Sequence, residues 1–391
     1  MFPGVCRRKY NDGSRRFMKP LDLERLQELF WEQIREGLHP GAALAVYRYG
    51  KPVLDLYGGV ADTSSRRPVT HDTLFVLFSS TKPLASACLY ILKDRGKLDW
   101  DDKVSRYWPE FSQNGKATVT IRHVLTHKAG FPETPAKLKP ENWKNWSDWD
   151  VAVSAMEQAS PRWKPGSVLA YHSFNVGWVV GELVRRADGR PFSQFLRDEL
   201  TGPLGMTDTY VGLPPALEDR VSKIYMMTDP GVSDDSEPIV SAFNRPEVHQ
   251  AVIPAGGGIS TARDMARFYA MMERGGTLDG VQILKPDTVA EVTKLRVRGM
   301  DRIAQKEQRL TIGMRLAEPR MGSTGSHGTR RFGHGGAGLS SSCWADPELG
   351  LAVAIVSNGF YDREYQDRVS KPGAKDPRLA ALSQAVVSAC R

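Results

Sequence analysis

The chain has 391 residues, 41% of them hydrophobic and 25% charged, with a formal charge of +8. That length exceeds one ordinary core, so two lobes are expected, and the balance is that of a soluble globular protein. The basic residues are scattered rather than striped. The densest runs, Arg7-Arg8-Lys9 with Arg15-Arg16 and residues 294–309, read as solvated surface, which argues against nucleic acid or membrane as partner.

The N-terminus has charges but no apolar core of a secretory signal, and no run approaches the ~18 apolar residues of a membrane span. The cysteines, Cys6, Cys88, Cys343 and Cys390, form no C-x-x-C and no metal knuckle. Reduced thiols in a cytoplasmic protein, with no metal or cofactor, are the expectation.

The first predicted helix covers residues 21–36, where Leu23, Leu26, Leu29, Phe30 and Ile34 share a face and Gly37 closes the element. Two strands follow, at 43–48 and 52–57, around a turn at Tyr49-Gly50-Lys51. An apolar run at 73–78 leads straight into Ser79, and a buried helix at 84–92 stops near Gly96.

From 97 to 225 helical periods dominate, at 121–125, 151–159, 176–187 and 192–200, with a long Pro- and Trp-bearing loop at 130–149. Strand signals return at 332–345 and 351–357, bracketing a loop at 346–350, and a last helix spans 379–389. The expected architecture is α/β, an antiparallel sheet flanked by N- and C-terminal helices plus an inserted, mostly helical lobe. The expected boundaries are 1–96 with 226–391 for the α/β domain and 97–225 for the helical one, with the active site in the cleft between them.

A serine hydroxyl is a poor nucleophile until a base takes its proton. Ser79 and Lys82 are three apart, a spacing that shares one face of an α or 3₁₀ turn. Pro83 suits a helix start. For Lys82 to act as a base near neutrality its pKa must fall by roughly three units, about 4 kcal/mol. S-x-x-K also arises by chance, so a plain helix N-terminus is the rival reading.

The run Pro165-Gly166-Ser167-Val168-Leu169-Ala170-Tyr171-His172-Ser173 puts a tyrosine on a loop before an apolar helix. Tyr171 is either a core tyrosine or, beside a Ser/Lys pair, a proton shuttle. The run Gly333-His334-Gly335-Gly336-Ala337-Gly338 matches G-x-G-x-x-G, but no helix follows it, which argues against a dinucleotide site. Its small residues allow close approach of a substrate backbone.

These elements, in this order, resemble the β-lactamase and penicillin-binding-protein superfamily, with its S-x-x-K, Y-x-N or S-x-N, and K-T-G motifs. Residues 125–130 (LTHKAG), 203–209 (PLGMTDT) and 256–262 (GGGISTA) resemble its class C β-lactamase-like branch. Tyr-His-Ser and His-Gly-Gly as second and third motifs look most like family VIII carboxylesterases. The resemblance spans roughly residues 21–390.

The resemblance implies Ser79 as nucleophile, with Lys82 and Tyr171 sharing the base role. Tyr171 would return the proton to the leaving group. His334 stands where the motif lysine would be, and the oxyanion hole would use the backbone N–H groups of Ser79 and Ala337. Gly335, Gly336, Ser173 and Trp344 complete the expected substrate-binding set. Ser173 in place of Asn, and His334 in place of a permanent cation, shift the expectation from lactams and peptides toward a small-molecule ester with a short acyl chain. A β-lactamase, D-aminopeptidase, amide hydrolase or acyltransferase remains the alternative, and the oligomeric state stays open.

His123 and His127 are four apart, a metal-like spacing, but no Glu stands at 124 and no third ligand is apparent. They are expected to be structural. Trp143, Trp146 and Trp149 either line an acyl pocket or pin their loop, and Trp163 and Phe174 are further pocket candidates.

Overall fold

A computed structural model describes residues 23–228, 231–232, 238–322, 330–369 and 376–390. Cys6, the basic cluster at 7–16 and the first two residues of the expected N-terminal helix lie outside these.

The first helix, α1 (Leu23–Arg35), buries Leu26 and Phe30. Strands β1 (Gly41–Arg48) and β2 (Lys51–Asp62) pair antiparallel, with Arg48 opposite Lys51. Tyr49 and Gly50 make the turn, both at positive φ (50° and 75°), the geometry of a tight two-residue hairpin. A short β3 (Arg67–Pro68) edges β2. Strand β4 (Phe75–Val76) leads to a 3₁₀ turn, Phe78–Thr81, and then α2 (Lys82–Asp94).

The middle of the chain contributes α3 (Ile121–Leu125), α4 (Trp149–Gln158), α5 (Asn175–Asp188) and α6 (Phe192–Leu196), then β5 (Tyr210–Val211). After it come α7 (Pro238–Phe243), β6 (Gly258–Ser260) and α8 (Ala262–Glu273). Strands β7 (Val297–Asp301), β8 (Lys306–Leu310), β9 (Arg315–Leu316), β10 (Phe332–Gly335), β11 (Ser341–Asp346) and β12 (Leu351–Ser357) precede the last helix, α9 (Leu379–Ser388).

Nine strands form one antiparallel sheet in the order β7-β8-β9-β10-β11-β12-β1-β2-β3. The expected α/β class with a large antiparallel sheet is what the chain forms. Its central strands are buried on both faces, and their side chains sort by size. Leu44, Val46, Leu351, Val353 and Ile355 face one way, into a core shared with α1 and α9. Ala43, Ala45, Ala352 and Ala354 face the other way, where α8 lies across β1, β11 and β12. Alanines let a helix approach closely, whereas each large aliphatic buried opposite contributes about 1.5–3 kcal/mol.

The run at 294–309, expected as solvated surface, supplies β7 and β8, the outer strands of the sheet. They alternate exposed and more buried residues, with charged, polar and apolar side chains mixed on both strands, and β7 forms the edge. Strand β6 joins β4 and β5 in a small separate sheet, which ties the segment before Ser79 to the glycine-rich run 256–258.

Candidate active site

Within residues 73–92 every position is buried except Ser79. It sits second in the 3₁₀ turn, after Phe78, which adopts a left-handed backbone (φ 46°). A phenylalanine in that region costs on the order of 1–3 kcal/mol, so the surroundings must impose it. They do so through hydrogen bonds on each side of the turn.

Leu77 N donates to Gly258 O (2.8 Å), and Gly258 N donates to Thr81 Oγ1 (2.9 Å). A Cβ on Gly258 would meet Thr81 Oγ1 at 2.5 Å, so the GGG run is what lets β6 approach. On the other side Ser80 Oγ lies 2.8 Å from Ser341 Oγ and donates to His334 O at 3.2 Å. The serine turn is therefore fastened between β6 and the β10–β11 pair.

Lys82 Nζ lies 3.1 Å from Ser79 Oγ and donates to the carbonyl of Ala255 at 2.9 Å. The side chain is buried, and burial lowers the lysine pKa. The charge of Arg315 lowers it further, while Tyr171 opposes the shift. The Tyr171 hydroxyl donates to Ser79 Oγ at 2.9 Å. Burial alone would raise its pKa, but the positive charges of Lys82 and Arg315 outweigh that and bring it below the ordinary phenol value.

The loop carrying Tyr171 is held by the LTHKAG run. Ala170 N donates to His127 O (3.0 Å), His172 N to His127 Nδ1 (3.1 Å) and Gly166 N to Lys128 O (2.8 Å). The buried carboxylate of Asp301 accepts from Tyr171 N at 3.3 Å. His127 lies beside the Tyr171 ring, centroids 4.6 Å apart. His123 instead belongs to a capping box with Thr120 at the start of α3.

The glycine strand closes the opposite side. His334 is 2% exposed, with its ring 6.3 Å from that of Tyr171. Its Nδ1 is 2.9 Å from the carbonyl of Gly335, which can only accept, so Nδ1 carries a hydrogen. Burial, then Arg315 and Lys82, hold its pKa well below the usual histidine value, so the ring is neutral. Ser79 and Ala337 each lie at the start of a 3₁₀ turn, where backbone N–H groups lack a partner within the turn. A Cβ on Gly336 would lie 3.0 Å from Leu77 O and 2.5 Å from the hydroxyls of Ser340 and Ser341. The strand thus abuts the serine turn.

Arg315 is the residue that motif reading missed. It is nine-tenths buried on β9, opposite Gly333 of β10, with its guanidinium 4.9 Å from the Tyr171 ring centroid. Glu318 (2.6 Å) and Gln308 (3.1 Å) hold it. No local pattern around Gly313-Met314-Arg315 announces this; only the pairing of β9 with β10 brings it to the tyrosine.

The structure brings together Ser79, Lys82, Tyr171 and His334. Ser173 is half-buried two residues beyond Tyr171, Gly335 and Gly336 continue the strand, and Ala337 is half-buried at its end. A Cβ on Gly335 would meet the Arg320 guanidinium at 2.3 Å.

Trp344 is a correction. It is fully buried on the far face of the sheet, in the core with α1 and α9, and donates to Ser383 Oγ at 3.2 Å. Neighbouring residues on a strand point to opposite faces, so nearness in sequence to the motif did not place it in the site. Trp146 packs on Phe174 and Phe243, centroids 5.4 Å from each, and Trp149 donates to Glu182. These two fasten their loop to α5 and α7. Trp143 stacks with Arg245, and Trp163 with Arg162. Phe174 and Phe243 do reach the site's flank, because Phe78 packs on Phe243 at 4.9 Å.

The fold and its Ser/Lys/Tyr cluster define a serine hydrolase of the penicillin-binding-protein type. The family profile described as Beta-lactamase matches residues 26–372, and the chain belongs to that family. It is 32% identical to Esterase/beta-lactamase LipL of Mycobacterium tuberculosis, over 81% of this chain and 77% of that protein. It is 28% identical to Esterase EstB of Burkholderia gladioli, over 93% and 94% of the two chains. Among solved structures, a family VIII carboxylesterase superposes with a TM-score of 0.81 at 26% identity, over 94% of this chain and 97% of that one.

Proposed function

We propose that this protein is a serine carboxylesterase that hydrolyses short-chain esters through an acyl-enzyme on Ser79. One observation carries the reading: Ser79 Oγ lies within hydrogen-bond distance of both Lys82 Nζ (3.1 Å) and the Tyr171 hydroxyl (2.9 Å). Ser79 Oγ attacks the ester carbonyl while the Lys82–Tyr171 pair takes its proton. The backbone N–H groups of Ser79 and Ala337 receive the oxyanion, each such donor being worth about 3 kcal/mol. Tyr171 returns the proton to the departing alcohol, and a water repeats the sequence to free the acid. Lys82 and Tyr171 titrate as one coupled unit.

The neutral, buried His334 supports an uncharged ester over a substrate carrying a carboxylate, since it offers no cation to one. The names of LipL, EstB and the family VIII carboxylesterase support the ester reading. LipL's name also supports lactam turnover as a side activity, because acylation of the serine is common to both. Two domains, 1–96 with 226–391 and 97–225, with the cleft between them as the site, complete the proposal. No helix among the described residues is long and apolar enough to cross a membrane. The free, buried Cys88 and Cys343 support a cytoplasmic location.

A turnover panel tests the reading: p-nitrophenyl butyrate against nitrocefin, small amides and acyl thioesters, with Ser79→Ala as control. Ester preference is expected. A clear preference for any other class would replace the proposal.

A further inference from the structure

The family resemblance places a lysine of K-T-G on the strand where this chain has His334. Three imidazoles, His127, His172 and His334, surround Tyr171, and all are held below the usual histidine range, first by burial. None supplies a charge near neutral pH. The adjacent strand does.

Arg315 projects from β9, directly opposite Gly333, and its guanidinium lies 4.9 Å from the centre of the Tyr171 ring. Gly333 is required for the close pairing of β10 with β11: a Cβ there would meet the Trp344 backbone at 2.7 Å and Cys343 O at 2.2 Å. A hydrogen-bonded frame fixes the arginine, Glu318 at 2.6 Å and Gln308 at 3.1 Å, and only a tenth of it is exposed.

Resting on the Ser79 reading above, we propose that Arg315 has taken over the permanent positive charge of the missing motif lysine. It acts as a positioning residue that holds the Lys82–Tyr171 pair in its proton-accepting state. The two services of a motif lysine are thereby separated. Charge next to the tyrosine is kept, whereas a cation free to meet a substrate carboxylate is not, because Arg315 is enclosed and engaged by Glu318.

The charged and titratable groups facing the pair are few. Lys82 comes from α2 and Tyr171 from its loop, with His172. His127 follows α3 and His334 lies on β10. Asp301 ends β7 and accepts from Tyr171 N. Behind Arg315 stands Glu318, which also lies 3.5 Å from Arg320 and feels the charge of Lys306. Removing the arginine therefore leaves Glu318 uncompensated on that side and makes the pair easier to protonate. Removing the glutamate charge does the opposite.

The test is the pH dependence of kcat/KM for p-nitrophenyl butyrate in Arg315→Met, Arg315→Lys and Glu318→Gln. Circular dichroism confirms folding, and a fluorophosphonate probe scores Ser79. Arg315→Met should move the acidic limb up by about one pH unit or more, a loss of about tenfold or more below the limb by the factor of ten per unit. Activity should recover at high pH. Arg315→Lys should hold the limb near the wild-type position, and Glu318→Gln should move it down, which tests the idea even if the methionine variant does not fold.

A uniform loss of rate at all pH values, with the limb fixed in both Arg315→Met and Glu318→Gln, would show a purely structural role and overturn the inference. Wild-type protein that neither turns over the ester nor labels at Ser79 would instead overturn the nucleophile reading, and this inference with it.

Discussion

The two faces of the nine-stranded sheet are made from alternate residues of the same strands, yet they do different work. The face toward α1 and α9 carries Leu44, Val46, Trp344, Val353 and Ile355, an apolar layer with the buried Arg331–Asp346 ion pair beside Trp344. The face toward α8 carries alanines, and at its β10 and β11 end it gives way to the polar groups His334 and Ser341. Volume on one face stabilises the sheet. Small size on the other lets the serine turn, the glycine strand and the Tyr171 loop meet within hydrogen-bond distance. A substitution on one face should therefore change stability, and one on the other should change chemistry.

The largest expected effect is Ser79→Ala. Ester hydrolysis should fall by about 10⁴-fold or more, while the unfolding free energy from urea titration stays within the ±0.5 kcal/mol of ordinary surface changes. Loss of fold without a specific loss of rate would break the contrast. Next is Lys82→Met, which removes the amine but keeps most of the volume. A drop of about 10²–10⁴-fold is expected, the usual span of a positioned acid or base.

On the other face, Ile355→Ala should cost about 2–5 kcal/mol in chemical denaturation. Its folded fraction should keep wild-type kcat/KM. Trp344→Phe is milder, on the order of 1–2 kcal/mol, since it trims volume and the bond to Ser383. Unchanged activity would sharpen the comparison. A large change in KM would mean that Trp344 reaches substrate after all.

The smallest effect concerns pH. His39, bonded to Ser357 and Gln33, is pushed down to about 3 by burial and by Arg378, and His172 to about 4, chiefly by burial. Both are neutral in the fold, whereas the unfolded chain takes up protons below about 6.5. Their contribution is full above that pH and is lost as pH falls toward 4 and 3. Thermal midpoints should decline on acidification from pH 6.5, and less steeply in His39→Gln. A flat profile across that window would contradict the sign.

Much of this was readable from residues alone. The β1–β2 hairpin follows from Tyr49-Gly50 between apolar runs, and α1, α2, α5 and α9 follow from helical spacing. Ser79 and Lys82 are legible because the pair is local. Tyr171 and His334 needed the resemblance, since nothing in a chain's local pattern says which distant loop will close on a serine. Arg315 escaped because its strand has two residues and its meaning lies in the pairing with Gly333. Trp344 was misplaced because sequence proximity ignores the alternation of a strand. The outer strands β7 and β8 resembled surface because one face of each is surface.

The most direct measurement of the central claim is mass spectrometry of the protein after reaction with a fluorophosphonate ester probe. The account predicts one covalent adduct, on the peptide containing Ser79, absent in Ser79→Ala and slowed in Lys82→Met. Labelling of another serine, or equal labelling of the alanine variant, would contradict it.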